Sequence, residues 1–269
     1  MKIDRFTDVE LDDFLRFQQL SFAIQTAVIG ELHDGITERE VARRLFRAYR
    51  AEGVLAYFHL PVVLFGDRTA LPEPWTVLGF WPTDRALQSG DAVIIDASPI
   101  FGDVLVDTSQ SHCHGVDATF ADVAADDHAY RDTILAAVRA GTTFREIAEA
   151  VDGHLVQQCY SNRHVRHPGE VLGHRVAKLE RAPEADADGF DQTLISWFVA
   201  QVGAAAPPGT ASPTWNHHPG SDHPPADGLW AVEPHIARRG VGVKWEELLV
   251  IQGRDVRWLD AGPRHARTA

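Results

Sequence analysis

Hydrophobic positions in this chain repeat first with a helical period and then with a strand-like alternation. Leu11, Phe14, Leu15, Phe17, Leu20, Ile24, Val28 and Leu32 fall near helical spacing, so residues 8 to 32 read as an amphipathic helix. Thr37 opens a second helix, with Glu40 three residues on to complete a capping box, and Gly53 ends it. "GVLAYFHLPVVLFG" is β-rich, and "VIIDASPIFGDVLVDTSQ" (93–110) is two apolar runs around a tight turn, a hairpin. Helices are expected at about 122 to 140 and 143 to 158, followed by a strand around "GEVLGHRVAKL" and a helix over 191 to 203. Residues 204 to 228 form a Pro/Gly-rich loop, and two last strands, "LWAVEPHIA" and "GVGVKWEELLVIQ", flank Arg239-Gly240.

The pattern contains an echo. "GITEREVA" (35–42) and "GTTFREIA" (141–148) share G-x-T-x-R-E-[VI]-A at an offset of 106 residues. Two independent helix starts with the same capping chemistry would also produce it. Two related α/β halves account for more, since each copy is followed by strands. The expectation is a single domain over 1 to 269, with halves at roughly 8 to 115 and 116 to 260 and a site at their seam.

Composition narrows the function classes. The formal net charge is -13, from 38 acidic and 25 basic residues, a field that repels phosphate backbones and anionic lipid. Neither nucleic acid nor a membrane is expected as a partner. The N-terminal residues lack a signal-peptide pattern, and no apolar run approaches the ~18 residues of a membrane span, so a cytoplasmic protein is expected. Cys113 and Cys159 are too few for a disulfide framework or a thiolate zinc site.

Carboxylates stand where aliphatic residues would fit: Asp96 in "VIIDA", Asp107 in "VLVDT", Glu233 in "WAVEP", Glu246 in "KWEEL". With a turn at Phe101-Gly102, opposed positions in the first hairpin sum to 203, which sets Asp96 against Asp107. With a turn at Arg239-Gly240 the last pair sums to 479, which sets Glu233 against Glu246. Like charges so placed repel and cannot be buried ionised without compensation. Two divalent cations bridged by carboxylates would supply it. His174 in "VLGHRV" is the best nitrogen ligand, beside a glycine that permits close approach.

These segments resemble the methionine aminopeptidase, prolidase and creatinase family. "LQSGDAVIIDASPIFGDVLVDTSQ" is similar to its L-x-x-G-D-x-V-x-I-D-x-G segment with D-x-T-R following. "LGHRV" stands where it has G-H-G-I-G, "LWAVEP" where it has T-I-E-P-G, and "GVGVKWEELLVIQ" where it has G-V-R-I-E-D-x-V-L-V-T. The resemblance implies an α/β pita-bread fold, two pseudo-symmetric halves around a curved antiparallel sheet. It implies two divalent ions (Mn, Fe or Co, with Zn also compatible), Asp107 and Glu246 bridging them, Asp96 completing one, and His174 and Glu233 completing the other. It implies hydrolysis of an amide or related C–N bond by a metal-bridging hydroxide, with Glu233 relaying protons and His174 in the catalytic shell.

The chain departs from the family outside those ligands. The substrate histidine expected about eighteen residues before the first aspartate is missing from "LPEPWTVLGFW", Arg181 stands seven positions after His174 where a second histidine belongs, and Arg175 replaces the second glycine of G-H-G. Peptide cleavage, a specialised reaction on a small metabolite, and a non-catalytic binding protein are therefore all open. His217, His218 and His223 in "WNHHPGSDHPP" are candidates for a lid or proton donors, or a solvated loop; His235 for a contact that supports a metal ligand or meets the substrate; Arg175 for pairing a substrate carboxylate, or a strand-end charge. His112, His114, His164 and His167 read as surface residues. A homodimer is compatible with the pattern but carried by no motif.

Overall fold

The computed structural model describes residues 1–182 and 212–262. Within them the order is α1 (Asp8–Ile29), α2 (Glu38–Ala51), β1 (Ala56–Phe65), β2 (Ala92–Phe101), β3 (Val104–Leu105), β4 (Thr108–Cys113), α3 (Ala118–Arg139), α4 (Phe144–Gln157), β5 (Ser161–Asn162), β6 (Gly173–Arg175), β7 (Thr214–Trp215), β8 (Gly228–Val232), β9 (His235–Arg238), β10 (Val241–Lys244), β11 (Glu247–Gln252) and β12 (Asp255–Trp258). The expected helix at 191 to 203 lies outside the described residues, as does the start of the 204 to 228 loop. The strand expected around His174 is short, and the two last strands are four, broken at Glu233-Pro234 and at Trp245-Glu246. Proline cannot donate to a ladder, which accounts for the first break.

The echo is structural. A 22-residue helix precedes a 14-residue helix in each half, and both Thr37 with Glu40 and Thr143 with Glu146 form complete capping boxes. Gly35 and Gly141, which open the two motifs, take φ of 87° and 77°, a region that excludes most side chains. Strand β2 alternates: Val93, Ile95 and Ala97 enter the core that contains α1 and α2, so Ile94, Asp96 and Ser98 face the other way. The second half has its own core, built on Trp215, Trp230, Trp245 and Trp258 with α3 and α4.

The halves are stitched at β4. Ser109 and Glu246 exchange backbone hydrogen bonds, and the Ser111 hydroxyl accepts from Lys244 N and donates to Lys244 O, each at 2.9 Å. Behind this seam Ser21 and Gln25 of α1 hydrogen-bond Thr108, fixing the backbone next to Asp107.

Buried carboxylates away from the seam are mostly neutralised. Glu38 accepts from Phe65 N, Arg68 Nε, and Thr83 N and Oγ1. Glu247 is bound by Arg131, which also lies over the Trp258 ring. Among the described residues Asp127 is the exception, fully buried with neither carboxylate oxygen hydrogen-bonded, and burial drives its pKa well above the usual range. A raised carboxyl pKa lowers stability progressively as pH rises above the unfolded value near 4. Asp127→Asn is therefore expected to raise the melting temperature, more at pH 8 than at pH 5; an equal gain at both values would refute the ionisation argument.

Candidate metal centre

Registers decide which side chains meet. The β2 hairpin turns at Gly102-Asp103, one residue later than expected, so opposed residues sum to 205 and Asp96 faces Ser109, not Asp107. The slip moves each partner by two residues. An even slip preserves the face, and Asp107 stays on the side of Asp96 as its diagonal neighbour. In the last strands the sum is 479 in β9–β10 and again in β8–β11, so the register on both sides of the break sets Glu233 opposite Glu246. Strand β6 adds His174 beside β8, its approach made by Gly173, where a Cβ would lie 2.6 Å from the Ala231 carbonyl oxygen.

Asp96, Asp107, His174, Glu233 and Glu246 converge across the seam, and all are buried. Three residues join them that the sequence reading did not place there. Lys244 sends its ammonium to Asp96 Oδ2 at 2.5 Å, Glu246 Oε2 at 2.9 Å and Glu233 Oε2 at 3.0 Å. His59 of β1 brings Nε2 to 3.3 Å from Asp107 Oδ1 and 3.7 Å from Asp96 Oδ1. His167, expected at the surface, is buried with Nδ1 2.7 Å from Glu233 Oε2 and Nε2 3.0 Å from His235 Nδ1. His235 Nε2 in turn donates to the Thr69 carbonyl oxygen at 2.7 Å, so His235 supports Glu233 through His167.

The other candidates lie elsewhere. His217 and His218 turn to Glu170 at 3.3 and 3.1 Å on an exposed rim, and His223 packs on Phe144 of α4. Arg175 is buried over the Trp230 ring, donating to the carbonyls of Asp227 and Ile3, so it is a packing residue and not a strand-end charge. His164, also expected at the surface, is buried against Asp152 and Asn162. His112 and His114 are half-buried near the end of β4, where His114 bonds Asp34.

The carboxylates divide their oxygens. Lys244 takes one from each of Asp96, Glu233 and Glu246, while Asp96 Oδ1, Glu246 Oε1 and both oxygens of Asp107 accept no hydrogen bond. These orphaned atoms fall into two groups that could each hold a metal ion: Asp96, Asp107 and His59, and Asp107, His174 and Glu246. In the second, His174 Nε2 is 3.3 Å from Asp107 Oδ2, 3.5 Å from Glu246 Oε1 and 3.9 Å from Glu233 Oε1. Ligand atoms bound at ~2.1 Å to one ion are separated by about 3.0–3.4 Å along the edges of its coordination shell, close to the shorter of these spacings. The donor set therefore fits two ions sharing Asp107.

Without metal, the buried acids are balanced by the cationic side chains around them. Burial opposes charge on His59, yet Asp107 and Asp96 push its pKa up to about 10, and the neighbouring carboxylates likewise raise His174 and Lys244 well above their usual ranges against burial. Asp107 is held well below the usual carboxylate range by His59 and His174 despite its burial, whereas burial and the adjacent acids bring Asp96 to about 7.

Beside His167 lies a cleft of about 440 Å³, lined by Glu73, Trp75, Val77, Arg166 and Glu170 among others. An ion pair between Glu73 and Arg166 stands in its wall.

Comparison with known proteins matches this framework. The fold superposes on the X-Pro aminopeptidase of Thermotoga maritima with a TM-score of 0.71 at 18% identity, covering 98% of this chain and 64% of that one. For the prolidase of Pyrococcus furiosus the TM-score is 0.68 at 18% identity, with 98% and 66% covered. The fold is thus the pita-bread architecture of those enzymes. An uncharacterized peptidase of Staphylococcus saprophyticus is 22% identical over 208 residues, which are 77% of this chain and 55% of the relative. The chain thus spans roughly half to two thirds of the length of these relatives. Among the described residues no helix is long and apolar enough to cross a membrane. The model of metallopeptidase family M24 matches residues 14–253, most of the chain, and the chain belongs to that family.

Proposed function

We propose that the chain is a metal-dependent hydrolase with a dinuclear centre, cleaving an amide C–N bond in a short peptide or peptide-like small molecule. The observation that carries this reading is the set of four buried carboxylate oxygens without hydrogen bonds, arranged in two ligand groups that share Asp107. Two divalent ions held there would polarise the scissile carbonyl and activate water. The oxygen-rich set with imidazole suits Mn(II), Fe(II) or Co(II), with Zn(II) also compatible.

The chain's own groups supply orientation and proton handling. Lys244 fixes the rotation of three carboxylates, leaving one oxygen of each for the centre. Because His235 Nε2–H donates to Thr69 O, its Nδ1 accepts from His167 Nε2–H, and His167 Nδ1 is left facing Glu233 Oε2. A proton held between His167 Nδ1 and Glu233 Oε2, 2.7 Å apart, would stand next to where a leaving amine needs it. The 440 Å³ cleft alongside falls in the range of small-ligand sites and suits a substrate of about dipeptide size.

The Glu73–Arg166 pair favours a second reading. Glu73 stands in the segment where the family resemblance calls for a substrate histidine, and with Arg166 it makes this wall of the cleft charged. A specialised small amide is the substrate class this reading implies.

The test is hydrolysis of a dipeptide panel, including Met-Xaa and Xaa-Pro, together with small amide metabolites, after reconstitution with Mn(II), Fe(II) or Co(II). Metal-dependent turnover of dipeptides is the expected result, abolished by chelation and restored by metal. Turnover only of a non-peptide amide selects the second reading. Failure to retain two ions per chain removes the catalytic proposal.

A further inference from the structure

We propose that His59 is a metal ligand, binding through Nε2 the ion held by Asp96 and Asp107; the inference rests on the metallohydrolase reading above. The sequence resemblance assigns that ion only carboxylates. Here the carboxylates are partly committed, since Asp96 Oδ2 and Glu246 Oε2 are both held by Lys244. What remains for this ion is Asp96 Oδ1 and Asp107 Oδ1, two oxygens with no hydrogen bond. His59 Nε2 faces both, at 3.7 and 3.3 Å, and completes three protein ligands.

The ring is set up as a ligand should be. Its Nδ1 is 3.0 Å from the carbonyl oxygen of the following residue, Leu60, and His174 makes the same contact with Arg175 O at 3.1 Å. Donating Nδ1–H to a backbone carbonyl leaves the neutral ring with its lone pair on Nε2, aimed at the carboxylates, the arrangement that orients metal-binding histidines. The two histidines thus present the same nitrogen, held in the same way, to opposite oxygens of Asp107.

The backbone is bent to achieve this. Strand β1 pairs Val62 with Asp96, and regular alternation from there would turn residue 59 to the opposite face. An irregularity between His59 and Val62 inserts one extra residue, so His59 pairs with Ser98 and joins the face of Asp96. Bulges re-aim side chains beside active sites in this way. With its side chain one-third exposed, His59 lies on the open side of the centre, where an ion with three protein ligands keeps positions for substrate and water.

The experiment titrates the chelator-stripped full chain with Co(II), followed by visible absorption and calorimetry, for wild type, His59→Ala and His59→Phe. X-ray absorption of zinc-loaded protein then counts imidazoles. The wild type is expected to bind two equivalents with one imidazole per zinc on average. Both variants should keep one tight equivalent and bind the other at least about 100-fold more weakly, beyond what loss of an outer-shell partner produces. In either variant, two equivalents bound as tightly as in wild type with an unchanged imidazole count would overturn the proposal and leave His59 an ion-pair partner. If the wild type itself binds no Co(II), the metallohydrolase reading falls first, a result separate from any effect of the substitutions. His59→Phe keeps the bulk of the ring should the alanine variant fold poorly.

Discussion

Asp107→Ala is expected to empty both metal positions and to abolish turnover while leaving the fold intact. It is the one carboxylate in the centre that gives nothing to Lys244: both oxygens lack hydrogen bonds, Oδ1 facing His59 and Oδ2 facing His174. Removing a ligand that serves one ion weakens that ion, whereas removing the shared one weakens both. Metal content after dialysis should fall from two per chain to near zero. Turnover should fall at least about 1000-fold, the loss of several kcal/mol of Lewis-acid stabilisation. The fold should persist because Thr108, next in the chain, keeps its hydrogen bonds to Ser21 and Gln25, visible as an unchanged circular dichroism spectrum. Without metal, the variant should tolerate high pH better than the wild type. In the wild type the raised pKa of His59 contributes stability that is complete below about 6.5 and is lost as pH rises through about 10, and much of it comes from Asp107. A variant that still held two ions would show that Asp107 is not their common ligand.

The centre was legible where it depends on strand parity and obscure where it depends on backbone irregularity. Acids at Asp96, Asp107, Glu233 and Glu246 stand out in apolar runs because a half-buried strand has no other reason to carry them. A first turn one residue later than the pattern predicts leaves Asp107 on the same face, since an even slip in partner keeps the face. Lys244 was within reach of the same rule: it stands two residues before Glu246 and so shares its face, in a strand already known to carry uncompensated acids. His59 was not, because alternation from Val62 points it the wrong way until the bulge is known. His167 was not either, since it follows a short turn of 3-10 helix in which neither helical nor strand periodicity applies. Arg175 shows the converse error. Its neighbour His174 enters the site, so Arg175 must face away, into the groove between Trp230 and the carbonyls of Ile3 and Asp227.

Lys244→Met should separate the stability of the metal-free protein from that of the loaded one. The ammonium is buried among acids and is the fixed cation common to Asp96, Glu233 and Glu246. Methionine fills nearly the same space but leaves three carboxylate oxygens without their partner, and breaking a buried ion pair from one side costs about 3–5 kcal/mol. For a chain of this size that is a fall of roughly 6–20 °C in the melting temperature of the chelated protein. Bound divalent ions restore part of the lost positive charge, so metal should raise the melting temperature of the variant by more than it raises that of the wild type. Turnover should drop even at saturating metal, because carboxylates released from Lys244 can rotate and no longer present a single oxygen each to the centre. Equal destabilisation with and without metal would reduce Lys244 to a packing residue. Unchanged turnover at saturating metal would show that the acids are oriented by the ions alone, and the ammonium would then serve only to hold the metal-free pocket together until the ions arrive.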